Sequence, residues 1–243
     1  MPENAQGSVG SPENPPPDPA LVTLLRPMRT RIKFCGLVRP GDVEAAVRLG
    51  VDAIGLVFYE PSPRYLDPET ARELRRRLPS FVVAVGLFVN AAPALIARTR
   101  DTVGLDVIQL HGDERPEEAA ALGLRHWKAH RITAGYDLGA AIAAHGAAEC
   151  HLLDSASAGF GGSGLVFDWA RAQGHDCSRL IVSGGIDGGN VGAAIERLGP
   201  FAVDTSSGIQ GGSARVKDLA RMEAFVEAVR AADGKRAATA AGG

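Results

Sequence analysis

Eight short apolar runs, each followed by a helix-like stretch, leave this chain few architectures to choose from. The runs fall at residues 31–35, 53–58, 81–88, 106–110, 125–129, 150–154, 179–183 and 201–204. Most are continuous rather than alternating, as in parallel strands buried on both faces. Helical patterns lie between them, for example at 41–49, 68–78, 92–100 and 190–198, with a last one at 217–229. Proline or glycine marks most boundaries, as at Pro40-Gly41, Pro79, Pro93, Gly104, Pro116 and Gly199-Pro200. The competitors are an open doubly wound sheet and a closed (β/α)8 barrel. A dinucleotide-binding sheet would carry GxGxxG after its first strand, where this chain has Cys35-Gly36-Leu37-Val38. The reading adopted is a single (β/α)8 TIM barrel of eight parallel strands, at the small end of that fold's size range.

Four of the runs end in groups suited to chemistry. Arg31–Cys35 ends in a thiol, and the run before Asp154 ends in a carboxylate. The seventh run leads into Gly184-Gly185 and the eighth into Ser206-Ser207-Gly208, small residues whose backbone can approach a phosphate. A closed barrel gathers the C-terminal ends of all its strands at one mouth, where active sites of this fold lie. The pattern therefore predicts an enzyme with a phosphate site. Gln109 and His111, at the end of the fourth run, and Asp204, at the end of the eighth, are placed to face the same mouth.

The composition narrows the setting. With 45% hydrophobic and 22% charged residues the chain has an ordinary globular make-up, and a formal charge of −2 points to no nucleic-acid or membrane partner. The arginines at 72, 75, 76 and 77 read as a solvated helix face. The three cysteines are odd in number and widely spaced, which argues against a disulfide scaffold or zinc site and predicts a cytoplasmic protein. No run approaches membrane-spanning length. Residues 1–29 are proline-rich and poor in apolar groups and are expected to form a disordered tail, with the barrel at 30–232 and a flexible Ala/Gly-rich tail at 233–243.

The motifs themselves carry a resemblance. Lys33-Phe34-Cys35-Gly36-Leu37, Gly55-Leu56-Val57-Phe58-Tyr59 with Pro61-Ser62-Pro63-Arg64-Tyr65, and Val85-Gly86-Leu87-Phe88-Val89-Asn90 closely resemble the phosphoribosylanthranilate isomerases of tryptophan biosynthesis. So do Asp106-Val107-Ile108-Gln109-Leu110-His111-Gly112-Asp113-Glu114, Gly161-Gly162-Ser163-Gly164 with Phe167-Asp168-Trp169, and Val203-Asp204-Thr205-Ser206-Ser207-Gly208. The resemblance implies an Amadori rearrangement of phosphoribosylanthranilate, which is two proton transfers and needs no metal or other cofactor. It makes Cys35 the general base, Asp154 the general acid and Arg64 the holder of the anthranilate carboxylate. Gln109, His111 and Asp204 join Arg64 as substrate-binding residues. Gly184, Gly185, Ser206, Ser207 and Gly208 become the phosphate site, and the glycine loop at 161–164 a flap over the substrate.

A thiol serves as base if its surroundings bring it toward neutral pH, and a carboxyl serves as acid if an apolar wall or nearby negative charge keeps it protonated. Nearby Lys33 need not help Cys35, because alternate strand positions point to opposite sides or different layers. Cys150 and Cys177 are read as structural. Four positions depart from the family pattern: Phe34 replaces an aliphatic residue, Thr205 and Gln210 stand where Val and Glu are more usual, and Leu165 replaces a polar residue. Two rival readings remain. One is another sugar-phosphate barrel isomerase, against which Cys35 and the Arg64 motif speak. The other is a catalytically dead barrel that binds a phosphorylated metabolite, which would need neither base nor acid. Both a monomer and a homodimer are compatible with the fold.

Overall fold

The computed structural model describes residues 29–155 and 168–241, and within them the eight predicted strands close into a barrel. The strands are β1 (Arg31–Cys35), β2 (Ala53–Val57), β3 (Val83–Phe88), β4 (Val107–Leu110), β5 (His126–Ile132), β6 (Cys150–Ser155), β7 (Leu180–Val182) and β8 (Ala202–Thr205). Each pairs in parallel with the next, and β1 pairs with β8, so no edge is left open. Seven α-helices lie among the described residues: α1 (Pro40–Leu49), α2 (Pro68–Arg75), α3 (Pro93–Val103), α4 (Pro116–Ala121), α5 (Leu138–Ala144), α6 (Val191–Leu198) and α7 (Leu219–Ala241). Between β6 and β7 the described chain holds two 3-10 turns, Trp169–Ala172 and Cys177–Arg179. Proline opens α1, α2, α3 and α4, where its fixed φ suits a first turn and its missing N–H costs nothing.

The period of two along each strand divides the core. Outward residues such as Ile32, Phe34, Ile54, Leu56, Phe88, Ile108 and Val203 join the helices in the main apolar layer. Inward residues fill the lower barrel in small groups, Ala53, Val85 and Val107 on one side and Ala129, Cys150, Leu152, Ile181 and Ala202 on the other. Two departures from the family pattern fall on the outward set. Phe34 meets Phe225 of α7 edge-on at 5.8 Å, and Thr205 donates its hydroxyl to the Ile186 carbonyl at 2.6 Å. Phe34 takes no part in the barrel mouth, while Thr205 lines it with its hydroxyl turned to the Ile186 carbonyl.

Among the element boundaries that differ from expectation, two have a clear physical cause. β5 runs on to Ile132, because Lys128 and His130 find buried polar partners on the barrel's outer side. The chain expected to loosen as a tail at 233–243 instead continues α7 to Ala241. Alanine is the best helix former, so the Ala-rich composition favours helix, and Gly234 costs it only about 1 kcal/mol. Tertiary contacts fix it: Asp233 accepts from the backbone N–H and hydroxyl of Thr30, both at 2.7 Å, and Lys235 pairs with Glu196. Residues 1–28 and the glycine loop at 161–164 with Leu165 lie outside the described residues. No helix among the described residues is long and apolar enough to cross a membrane.

Outside the barrel wall, His130 Nδ1 pairs with the Tyr136 hydroxyl at 2.7 Å and its Nε2 with His151 Nδ1 at 3.0 Å. Burial above all, and then the neighbouring His151, Lys128 and His145, pushes His130 down to about 3. Burial, followed by Arg179, takes His151 to about 4. Both rings stay neutral in the folded chain while an unfolded histidine takes up a proton near pH 6.5. The stability they allow is therefore complete above about pH 6.5 and is lost as pH falls from there towards 4 and 3. We expect urea unfolding to show about 2–4 kcal/mol less stability at pH 5 than at pH 7, and most of that difference to vanish in His130→Gln/His151→Gln.

Candidate active site

The strand ends converge on one cleft of about 640 Å³, counted out to its open mouth. Cys35, Arg64, Gln109, His111, Asp154, Gly184, Gly185, Asp204, Ser206 and Ser207 all line it, with Tyr59, Ser62 and Ser183 beside them. Ten of the eleven residues singled out by sequence thus share one surface. Gly208 does not reach it: a Cβ there would stand 2.1 Å from the Ile186 carbonyl oxygen, so this glycine lets two loops touch.

Cys35 ends β1 with only 6% of its surface exposed. Its register partner on β2 is Gly55, and a Cβ at that position would lie 2.6 Å from the Cys35 Sγ. The bare glycine is what lets the thiol turn into the barrel. Burial pushes the thiol up from its ordinary range, while Lys33 and Lys217 draw it back and Asp204 adds to the rise. The site without substrate therefore holds a thiol rather than the neutral-pH thiolate the sequence reading asked for. The physical reason is desolvation, which disfavours the anion.

Asp154, one residue before the end of β6, is 5% exposed and faces His111 from just past β4. Gln109 Nε2 donates to His111 Nδ1 at 2.8 Å, which makes Nδ1 the acceptor and places the ring proton on Nε2. That proton is directed at Asp154 Oδ2, 3.1 Å away. One carboxyl oxygen is thereby occupied as an acceptor, and Oδ1 lies toward Gly184. Gly184 keeps the approach to Oδ1 open: its φ of +73° suits glycine, and a Cβ would lie 2.7 Å from Oδ1 and 2.3 Å from the Ser155 nitrogen.

Arg64 enters from the loop after β2 and lies over Gly36. A Cβ on Gly36, at φ +69°, would come within 2.3 Å of the arginine Cδ. The guanidinium donates Nη2–H to Gln210 Oε1 at 2.7 Å, and its buried Nε makes no hydrogen bond. A planar fork with unspent donors at the rim of a cleft suits a carboxylate. Here the third departure from the family pattern has a consequence, since an uncharged glutamine holds Arg64 without cancelling its charge.

Two cations were missed by sequence reasoning. Lys33, on the same inward face of β1 as Cys35, is 2% exposed and donates to Asp204 Oδ1 at 2.8 Å. Its layer lies below that of the thiol, yet the two are close enough to interact, so Lys33 does help Cys35 where the sequence did not require it to. The signal was a charged residue in an otherwise buried strand. Lys217, just ahead of α7, donates to the Ser206 carbonyl at 2.8 Å. Burial and the charge of Arg64 push it down to about 8. No motif marked it. Cys150, by contrast, sits in the lower barrel wall, and burial pushes its thiol up to about 11, as befits a structural residue.

A family model described as N-(5'phosphoribosyl)anthranilate (PRA) isomerase matches residues 32–228. The N-(5'-phosphoribosyl)anthranilate isomerase of Ralstonia nicotianae is 50% identical over 218 residues, covering 84% of this chain and 94% of the relative. The crystal structure of phosphoribosyl anthranilate isomerase from Thermotoga maritima superposes with a TM-score of 0.77 at 35% identity, covering 83% of this chain and 99% of that one. A second structure, of the isomerase in complex with reduced 1-(o-carboxyphenylamino)-1-deoxyribulose 5-phosphate, gives a TM-score of 0.73 at 33% identity over the same 83% and 99%. By matched length, identity and superposition alike, the chain belongs to the phosphoribosylanthranilate isomerase family.

Proposed function

We infer that this chain isomerises N-(5′-phosphoribosyl)anthranilate to 1-(2-carboxyphenylamino)-1-deoxyribulose 5-phosphate, an Amadori rearrangement in tryptophan biosynthesis. The observation that carries the reading is the meeting of Cys35, Asp154 and Arg64 in one cleft of a chain of this family. Asp154 gives its Oδ1 proton to the furanose ring oxygen, the C1′–O bond breaks, and the ring opens to a protonated Schiff base. Cys35, as thiolate, takes the C2′ proton, and the electron pair moves onto the iminium to give an enolamine, which becomes the ketone. Burial of Cys35 serves this order of events. The thiol is hard to ionise in the empty cleft, but the positive charge of the Schiff base beside it favours the thiolate where that is needed. Gly184, Gly185, Ser206 and Ser207, with Lys217 behind Ser206, make a cradle for the 5′-phosphate, at the ends of β7 and β8 where barrels commonly bind one.

The test is turnover of freshly generated phosphoribosylanthranilate, followed by loss of its fluorescence. Activity supports the isomerase, and an inactive, folded wild type turns the assignment to a barrel that only binds a phosphorylated metabolite. Arg64→Lys should raise KM about tenfold with a smaller change in kcat, since an ammonium cannot replace two parallel hydrogen bonds. An unchanged KM would remove Arg64 from the carboxylate site. In this reading residues 1–28 take no part in the reaction, and the barrel from residue 30 onward is the catalytic unit. Removing 1–28 is expected to leave kcat and KM within about twofold of the full chain, and a large loss of turnover would give that segment a place in the site. The proposed setting is the cytoplasm, with a small-molecule substrate and no nucleic-acid or membrane partner.

A further inference from the structure

We propose that Lys33 is a positioning residue for the isomerisation, its buried ammonium held beneath Cys35 by Asp204 so that the pair sets how readily the thiol becomes the thiolate base. The proposal rests on the acid–base reading given above. Lysine is almost never fully buried without a reason, and here it occupies an interior layer that barrels of this fold fill with branched aliphatics. Lys33 and Asp204 are register partners across β1 and β8, joined at 2.8 Å with side chains 2% and 6% exposed. The second Asp204 oxygen accepts from Ser183 Oγ at 3.2 Å, which fixes the carboxylate from the residue just past β7. If the pair served only to hold the barrel together, apolar side chains of similar volume would serve as well or better. Its placement two residues below the thiol, on the same face of β1, gives it a different use.

The charges facing Cys35 come from four elements. Lys33 lies below it on β1 and Asp204 beside it on β8, Lys217 approaches from ahead of α7, and Arg64 from the loop after β2. Lys33 and Lys217 favour the thiolate and Asp204 opposes it. Lys33 therefore acts in two ways: it attracts the thiolate, and it neutralises a carboxylate that would otherwise repel it. The ammonium keeps its proton throughout, and the thiol gives up its own to solvent once the positive charge of the Schiff base stands beside it.

The two members of the pair should thus shift the thiol in opposite directions. The experiment is the rate of iodoacetamide alkylation at Cys35 as a function of pH, read by peptide-resolved mass spectrometry so that Cys150 and Cys177 do not contribute. At pH 8, Lys33→Met should react about tenfold more slowly than wild type, one unit of thiol titration, and Asp204→Asn several-fold faster. Lys33→Arg should restore most of the rate, and the acid limb of the kcat profile should move the same way. Should Lys33→Met fail to fold, the comparison is made with Asp204 already replaced: Lys33→Met/Asp204→Asn, which removes both charges, should react more slowly than Asp204→Asn alone. Equal rates in all folded variants, or a slower rate in both single variants, would overturn the proposal. Alkylation does not read turnover, so a wild type that shifts as described but does not isomerise would refute the isomerase reading and leave the charge relation standing.

Discussion

Asp154→Asn is expected to lower kcat by about 10²–10⁴, the usual worth of a positioned general acid, while KM changes by less than about threefold. The substitution keeps the size of the side chain and an oxygen that accepts the His111 Nε2–H. It removes only the ability to release a proton to the ring oxygen. Cys35→Ala should cost a similar factor for the complementary reason, since it removes the base of the proposed second proton transfer. Neither change opens a serious hole in the core: Cys35 borders Gly55 and the cleft rather than the main apolar layer. Circular dichroism and urea unfolding should therefore match wild type while turnover disappears. A variant of either residue that kept more than about a tenth of wild-type kcat would remove that residue from the proton transfers.

The barrel was legible because a parallel strand covered on both faces has to be apolar along its whole length, so each strand announces itself and a reactive terminal residue stands out. Cys35 and Asp154 were found in this way. What lies across the strands was not legible. Lys33 and Asp204 are 171 residues apart in the chain, and only the β1–β8 register brings them together. Lys217 follows a Gly/Ser-rich turn and gains its place from the pairing of its own backbone N–H with buried Asp42. The end of α7 was misread for a related reason. Alanine and glycine near a terminus suggest loosening, but Ala232 is buried and Asp233 is tied to Thr30, contacts that no local pattern records. Strand ends that carry chemistry are local features, whereas the electrostatic setting of that chemistry is a tertiary one.

The largest loss of stability is expected from Glu114→Ala. Glu114 is the last residue of the motif that carries Gln109 and His111, and its carboxylate closes two loops at once. It accepts from the Gly112 nitrogen at 3.0 and 3.1 Å and from the Asn90 nitrogen at 2.9 Å, and it pairs with Lys128 of β5 at 2.7 Å. The side chains of this pair are 5% and 8% exposed, so removing the carboxylate strands a buried ammonium whose other partner is the Gly112 carbonyl at 2.7 Å. Breaking such a pair from one side costs about 3–5 kcal/mol. For a domain of this size that corresponds to a Tm lower by roughly 6–20 °C. Glu114→Gln keeps an acceptor for the two backbone N–H groups while losing the charge, so it should cost distinctly less than alanine. The comparison separates loop closure from charge. A loss below about 1 kcal/mol for Glu114→Ala in urea unfolding would place the pair among ion pairs of little consequence. Where the loop is loosened, His111 should lose its alignment on Asp154, and kcat at a temperature where the variant is folded should fall about tenfold while KM holds steady.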